Sequence, residues 1–337
     1  MAAARLELPA RFGGAADPPI GRMAAMTTNA AGRSMTMDAR QWGLLLLLGG
    51  LWGGSFFLVE VALVGFGPLT VVAGRVALAA AALHAVVRAT GGGLPRDAGT
   101  WATLAVMALL NNVVPFTLIV WGQTRITGSL ASVLNATTPI FTVLIAHAAT
   151  ADERLRPGKL VGVGLGFLGA LVVVGPSIVA DLGGPAALAQ LAVLGAAASY
   201  ACAGVWGRRL RGHRPAAVAA GQLTCSAGLM VPLAWWVESV PAASPGLASA
   251  AALVTLAVLS TALAYVVYFR LLASAGATNL LLVTFLIPVA AVLLGASFLG
   301  ERLSPADVVG IVLIGGGLMA IDGRPAAWIV GRVGGAA

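Results

Sequence analysis

Two stretches of this chain share one layout. "TTPIFTVLIAHAATADERLRP" spans residues 137–157, and "LIPVAAVLLGASFLGERLSP" spans residues 286–305. Each is an apolar run with a proline inside, closed by Glu-Arg-Leu, one further residue and a second proline. Aligning Pro139 with Pro288 and Glu153 with Glu301, with one gap, sets Arg154 and Leu155 on Arg302 and Leu303, and Pro157 on Pro305. Downstream, Gly162 falls on Gly310 and Gly169 on Gly317. Upstream, "LWGGS" (51–55) lies opposite "SYACA" (199–203), so Trp52 meets Tyr200. The chain reads as one unit written twice.

Composition says which solvent that unit meets. Of 337 residues, 59% are apolar and 9% charged, and the mean hydropathy is +0.95. Soluble domains carry about 25% charged residues. The polar shell of a soluble fold cannot be built from this material, so lipid must be the solvent. The formal charge of +8 fits basic residues on cytoplasmic loops better than nucleic-acid binding, because no basic stripe is interleaved with aromatics. Cys202 and Cys225 sit inside apolar runs without metal-site spacing and read as small packing residues.

A spanning helix needs about 20 apolar residues. Ten such segments follow one another: 42–64, 68–88, 101–122, 128–149, 158–176, 187–207, 216–237, 248–271, 277–299 and 306–322. With the N-terminus in the cytoplasm, the inside receives five Arg of the tail, Arg88, Arg96, Arg154, Arg156, Lys159, Arg208, Arg209, Arg211, Arg214, Arg270, Arg324 and Arg332. Outside fall only Arg125 and Arg302, a bias that supports an even count and two cytoplasmic ends. Residues 1–40 carry no hydrophobic signal segment and read as a disordered tail; Met23, Met26, Met35 and Met37 offer internal start sites. Residues 41–177 and 186–323 form the two repeats, and 324–337 a short cytoplasmic tail. Five helices is an odd number, so the second copy enters the membrane inverted, a layout typical of transporters.

The stretch "WGLLLLLGGLWGGSFFLVE" (42–60) and the two proline–ERL blocks resemble the EamA-type transporters of the drug/metabolite transporter superfamily, over roughly 42–322. The resemblance implies an all-α polytopic membrane protein of ten transmembrane helices, arranged as two inverted five-helix repeats. It implies a central cavity lined by the first four helices of each half, with the fifth and tenth packed to one side. Substrates of that family are chemically varied. Glu60 departs from the neutral or basic residue expected at its place.

Transport needs a polar site inside the membrane and a backbone that can rock around it. A helical proline frees the carbonyl four residues earlier: Pro115 frees Asn111, Pro139 frees Asn135 and Pro288 frees Thr284. Irregular backbone is tolerated in a membrane where it is buried or lines a cavity, so these kinks read either as substrate-facing or as packing features. Ser132, Asn135, Pro139 and Thr142 share one helical face, beside Thr138, and serve either as cavity lining or as interhelical glue. Trp52 and Tyr200 are candidates to bracket a substrate. Asn112, Tyr265 and Tyr268 are weaker candidates, and each aromatic has an ordinary packing role as its alternative. Arg75 is the one basic residue within a span, about 10 Å beyond Pro68 at 1.5 Å per residue. It either attracts an anionic group or snorkels to the outer interface. His84 and His147 read as structural or as titrating groups.

The carboxylates all lie near helix ends, which argues against a carboxylate relay. The ERL phrases read as hinge punctuation whose charges stay in water; Ser304, Pro305 and Asp307 read as an N-terminal cap. The run Gly158, Gly162, Gly166 and the run Gly315, Gly316, Gly317 allow close helix approach within or between monomers. No HExxH, GxSxG or GxxxxGK[ST] motif occurs, and no catalytic residue, metal or cofactor is expected. The expectation is a plasma-membrane permease exporting a small metabolite such as an amino acid, with lipid and a homodimer through helices five and ten as partners and no nucleic acid. A lipid-acting membrane enzyme and a non-transporting receptor are the readings from other classes.

Overall fold

The computed structural model describes residues 37–149, 157–180, 184–238, 245–280 and 282–322. Within them the chain forms ten helices: α1 (Ala39–Leu63), α2 (Pro68–Ala89), α3 (Ala98–Gly122), α4 (Gly128–Asn135 and Thr138–Ala149), α5 (Pro157–Ala180), α6 (Pro185–Leu210), α7 (Pro215–Val237), α8 (247–280), α9 (Val283–Leu299) and α10 (Pro305–Asp322). Seven are long and apolar enough to cross a membrane; within α5, α9 and α10 the apolar helices are shorter, Leu160–Val173, Val283–Leu299 and Pro305–Ala320. The chain is an all-α polytopic membrane protein. The 1–36 tail, the Asp152–Arg156 phrase including Glu153, and the tail from 323 lie outside the described residues.

One boundary departs from expectation. Gly276 adopts φ +80°, a conformation that glycine reaches without strain. It breaks α8, and residues 277–280 add one turn beyond it. The ninth helix therefore starts at Val283 rather than 277.

Packing follows the repeat. α2 lies against α7, and α5 against α10. The other contacts come in matched pairs: α1 with α9 and α6 with α4, α1 with α8 and α6 with α3, α2 with α8 and α7 with α3. The buried centre is apolar, with Val71, Val76, Leu83, Leu223, Met230 and Leu256 each fully or almost fully enclosed. The outside is apolar too: Trp235 and Trp236, at the end of α7, are 81% and 85% exposed. Aromatics in such a place suit the membrane–water boundary.

Close approach explains two glycines. A Cβ on Gly53 of α1 would stand 2.6 Å from the Ile287 carbonyl oxygen of α9, and one on Gly317 of α10 would stand 2.6 Å from the Gly162 carbonyl oxygen of α5. The second seam, with Gly166, Gly169 and Gly310, is made inside one chain; Gly315 and Gly316 face open space.

Acidic side chains hold several helix N-termini, where unpaired N–H groups attract negative charge. Asp97 accepts from the Thr100 N–H at 2.7 Å, which holds its carboxyl below the usual carboxylate range. Glu238, at the end of α7, accepts from the Leu69 and Thr70 N–H groups of α2, both at 2.8 Å. Ser304 and Asp307 form the expected reciprocal box on α10, at 2.8 and 3.2 Å. Glu60 and Glu301 both reach the start of α4. Glu301 is thus turned inward onto a helix, where its phrase was expected to stay in water.

Candidate functional site

α3 and α8 each widen into a π turn, at Leu109–Val113 and Val258–Leu263. The repeat places these turns opposite each other. A π turn inserts a residue and shifts the faces that follow; such turns concentrate at functional sites. Pro115 follows the first one directly, so its kink is absorbed in a helix already loosened. The loosened carbonyls find hydroxyl donors. Ser199 Oγ donates to the Leu110 carbonyl at 2.8 Å, and Thr261 Oγ1 to the Leu256 carbonyl at 2.9 Å.

Between the two turns lies a polar network drawn from both halves. Asn111 Nδ2 donates to the Tyr265 hydroxyl at 3.0 Å and lies 3.4 Å from Gln222 Oε1. Asn112, fully buried, donates to Ser226 Oγ at 3.0 Å and accepts from the Tyr265 hydroxyl at 3.3 Å. Ser226 in turn donates to the Gln222 carbonyl. Arg75 enters from α2. It is 8% exposed, so it does not snorkel to the interface. Its Nε donates to Thr261 Oγ1 at 2.9 Å, and its guanidinium carbon stands 3.8 Å from the Phe116 ring centroid. Among the described residues no carboxylate pairs with it.

An aromatic row flanks this network. Trp52 meets Tyr268 (ring centroids 5.7 Å), Tyr268 meets Phe269 edge-on (5.1 Å), and Phe269 stacks on Tyr265 (6.2 Å). Among the described residues no ring contact joins Trp52 to Tyr200. Tyr200 packs instead on the apolar core between α2, α3, α7 and α8.

The α4 stripe has a different fate. Its hydroxyls bond the backbone of their own helix: Ser132 to Ser129, Thr138 to Asn135 and Thr142 to Thr138, at 2.7, 2.7 and 2.9 Å. They are not interhelical glue. The carbonyl freed by Pro139 is the one Thr138 satisfies. The helix nevertheless breaks at Ala136–Thr137, so the single face drawn through Ser132, Asn135, Pro139 and Thr142 is not one continuous helical face. Asn135 keeps a buried Oδ1 without a hydrogen-bond partner. Pro288 sits inside an unbroken helix. With Thr284 it lines an apolar groove of about 270 Å³ between α4, α9 and α10, away from the Arg75 network. His84 Nε2 meets Thr224 Oγ1 at 2.8 Å across α2 and α7; His147 is exposed in the last turn of α4.

Sequence reading missed Gln222, Ser226, Thr261 and Phe116. The repeat held the signal for three of them. Pro68 and Pro215 both open a helix, which sets Arg75 on Gln222. The two π turns set Asn112 on Thr261 and Phe116 on Tyr265.

Ten apolar helices in two matching sets, with polar side chains of both sets meeting inside, define a multi-pass membrane transporter. The chain belongs to the EamA-like transporter family, which it matches over residues 41–175 and 187–321. Protein PecM of Dickeya dadantii is 26% identical over 272 residues, 81% of this chain and 89% of its own. The uncharacterized transporter YvbV of Bacillus subtilis is 28% identical over 274 residues, 80% of this chain and 88% of its own. A solved crystal structure aligns with a TM-score of 0.61 at 20% identity, over 85% of this chain and 98% of that one. At that identity it shows the fold alone.

Proposed function

We propose that this protein is a secondary transporter that moves a small carboxylate-bearing metabolite, such as an amino acid, by alternating access of its two inverted repeats. The observation that carries this reading is Arg75, a buried cation without a carboxylate partner among the described residues. A buried charge is costly unless paired, and an intramembrane charge marks a substrate or ion path. A substrate carboxylate supplies the missing partner. The amides of Asn111 and Gln222, the phenol of Tyr265 and the row from Trp52 to Phe269 offer hydrogen bonds and an apolar wall for the remainder. Asn112 holds Tyr265 in place. Asn135, Thr138, Thr142, Thr284 and Tyr200 stand as outer candidates, and Pro115, Pro139 and Pro288 as the flexing points.

The direction, outward across the plasma membrane, and the cytoplasmic placement of both termini follow from the family resemblance and the Arg distribution. The reading includes no catalysis, cofactor or nucleic acid. It includes a homodimer through the sides of α5 and α10 that remain open. Flux through purified protein in proteoliposomes, against a panel of amino acids, amines and sugars, tests the reading. Saturable flux of a carboxylate-bearing compound is expected. No flux of any compound from well-folded protein would sink it. Cysteines placed at Arg156 and Ser304 are expected to react from opposite sides; labelling from one side refutes the inverted arrangement.

A further inference from the structure

Loops 64–67, 123–127 and 300–304 meet at one end of the bundle, around an open vestibule of about 960 Å³. There the N-terminus of α4 receives two carboxylates from different halves. Glu60 of α1 accepts from the Gly128 N–H, and Glu301, just beyond α9, accepts from the Ser129 N–H at 3.1 Å. The two N–H groups belong to consecutive residues, so the two carboxyl groups are held side by side. Two like charges held this close disfavour ionising together, and one proton shared between them relieves the repulsion. A helix N-terminus supplies about half a positive charge, too little to neutralise two carboxylates.

Two further buried groups lie unsatisfied at this spot. Ser129 is 2% exposed and its Oγ has no partner. Gln123 is 7% exposed; its Nε2 donates to the Phe56 carbonyl at 2.8 Å and lies against Glu60, while its Oε1 has no partner. The other charged groups facing the pair are Arg125 of the α3–α4 loop and Arg302 and Asp307 around the start of α10. All three line the vestibule with Glu60. α2 brings no free charge, since Glu238 is spent on its N-terminus.

We propose that Glu60 and Glu301 form a proton-binding site that couples proton movement to the opening of this end of the transporter. With one proton shared, the pair ties α1 of the first repeat to the α9–α10 connection of the second, on the start of α4. When the proton leaves to vestibule water, two carboxylates at contact repel and the tie between the repeats is lost. The positions related by the repeat are Arg208 for Glu60 and Glu153 for Glu301. In sequence the counterpart positions therefore carry opposite charges, and Glu153 lies outside the described residues. The proposal rests on the transporter reading, but its first test does not.

Infrared difference spectra of the purified wild-type protein across a pH titration read the carbonyl stretch of a protonated carboxyl. A band present at neutral pH, lost on alkalinisation, and absent from both Glu60→Gln and Glu301→Gln is expected. No such band in the wild type, or a band that survives in both variants, overturns the site. The wild-type spectrum decides this even where a variant fails to fold. For the coupling, Leu130→Cys is placed in the vestibule of a chain carrying Cys202→Ala and Cys225→Ala. Its labelling rate is expected to rise several-fold as the band disappears. A rate that ignores pH overturns the gate. Metabolite flux that is present but indifferent to a pH gradient overturns the coupling while leaving transport intact.

Discussion

The two halves of this molecule share a frame and differ in chemistry. The frame repeats down to the mid-span π turns of α3 and α8, at Leu109–Val113 and Val258–Leu263, while α9 ends in a further π turn at Gly295–Leu299. The side chains on the frame do not repeat. Arg75 on one side corresponds to Gln222 on the other, Phe116 to Tyr265, Asn112 to Thr261, and Glu60 to Arg208. In the proposed alternating-access reading, the matched backbones would supply two arrangements of similar energy between which the halves rock about a central site. Unmatched side chains give that site a single charge and a single orientation. On that reading the fold would supply the motion, and the departures from symmetry the selectivity.

Making the halves alike should therefore abolish function before it harms the fold. Arg75→Gln copies the second half onto the first. We expect flux to fall on the order of a hundredfold, the scale of removing one partner from a desolvated charge pair. Stability is expected to stay the same or rise, because an unpaired buried charge is lost. Proteoliposome flux and a thermal unfolding midpoint check both halves of that statement.

The seam between α5 and α10 tests the frame itself. Gly317→Ala drives a methyl against the backbone of Gly162 and Gly166 and should cost about 1–3 kcal/mol. Gly315→Ala meets open space and should stabilise by up to about 1 kcal/mol through helix propensity. Thermal unfolding in detergent separates the pair.

The two proline kinks give a smaller contrast. Thr138 donates to the carbonyl that Pro139 frees, and the repeat gives Ile287 at the same place. Thr138→Val should cost about 1 kcal/mol, the worth of one such bond, and Thr138→Ser should restore it. Equal stability of all three proteins would show that the hydroxyl does not repair the kink.

The least effect is expected at Asp97. Its carboxyl sits below the usual range because Thr100 donates to it. The contribution is present above the ordinary carboxylate range and is lost as pH falls through the lowered value. Asp97→Ala should therefore lower stability slightly and evenly across neutral pH. A difference from wild type that itself changed across neutral pH would contradict the assignment.

Much of the fold was legible in the sequence. Runs of about twenty apolar residues are long enough to count, and the repeated ERL phrase fixed their grouping. Arg75 was legible as the one cation inside a span, but its depth allowed an interfacial position, and only packing against Phe116 and Thr261 decides otherwise. The π turns were not legible, because one inserted residue leaves an apolar run apolar. Gln222 and Thr261 stayed hidden for a related reason: a lone polar residue in a greasy helix carries no sign of which neighbour it meets. Glu60 and Glu301 lie 241 positions apart, and nothing local to either announces the other. The α4 hydroxyls show the converse. Their spacing drew a face, yet each hydroxyl bonds the backbone of the preceding turn, as helical Ser and Thr commonly do.

The proposed role of Arg75 is to receive a carboxylate from the transported molecule. It is tested most directly by flux of a transported amino acid against its methyl ester and its decarboxylated amine, in wild type and in Arg75→Gln. Wild type is expected to favour the free carboxylate strongly, and the variant no longer to distinguish the three. Equal wild-type flux of all three, or a variant that keeps the preference, would contradict it.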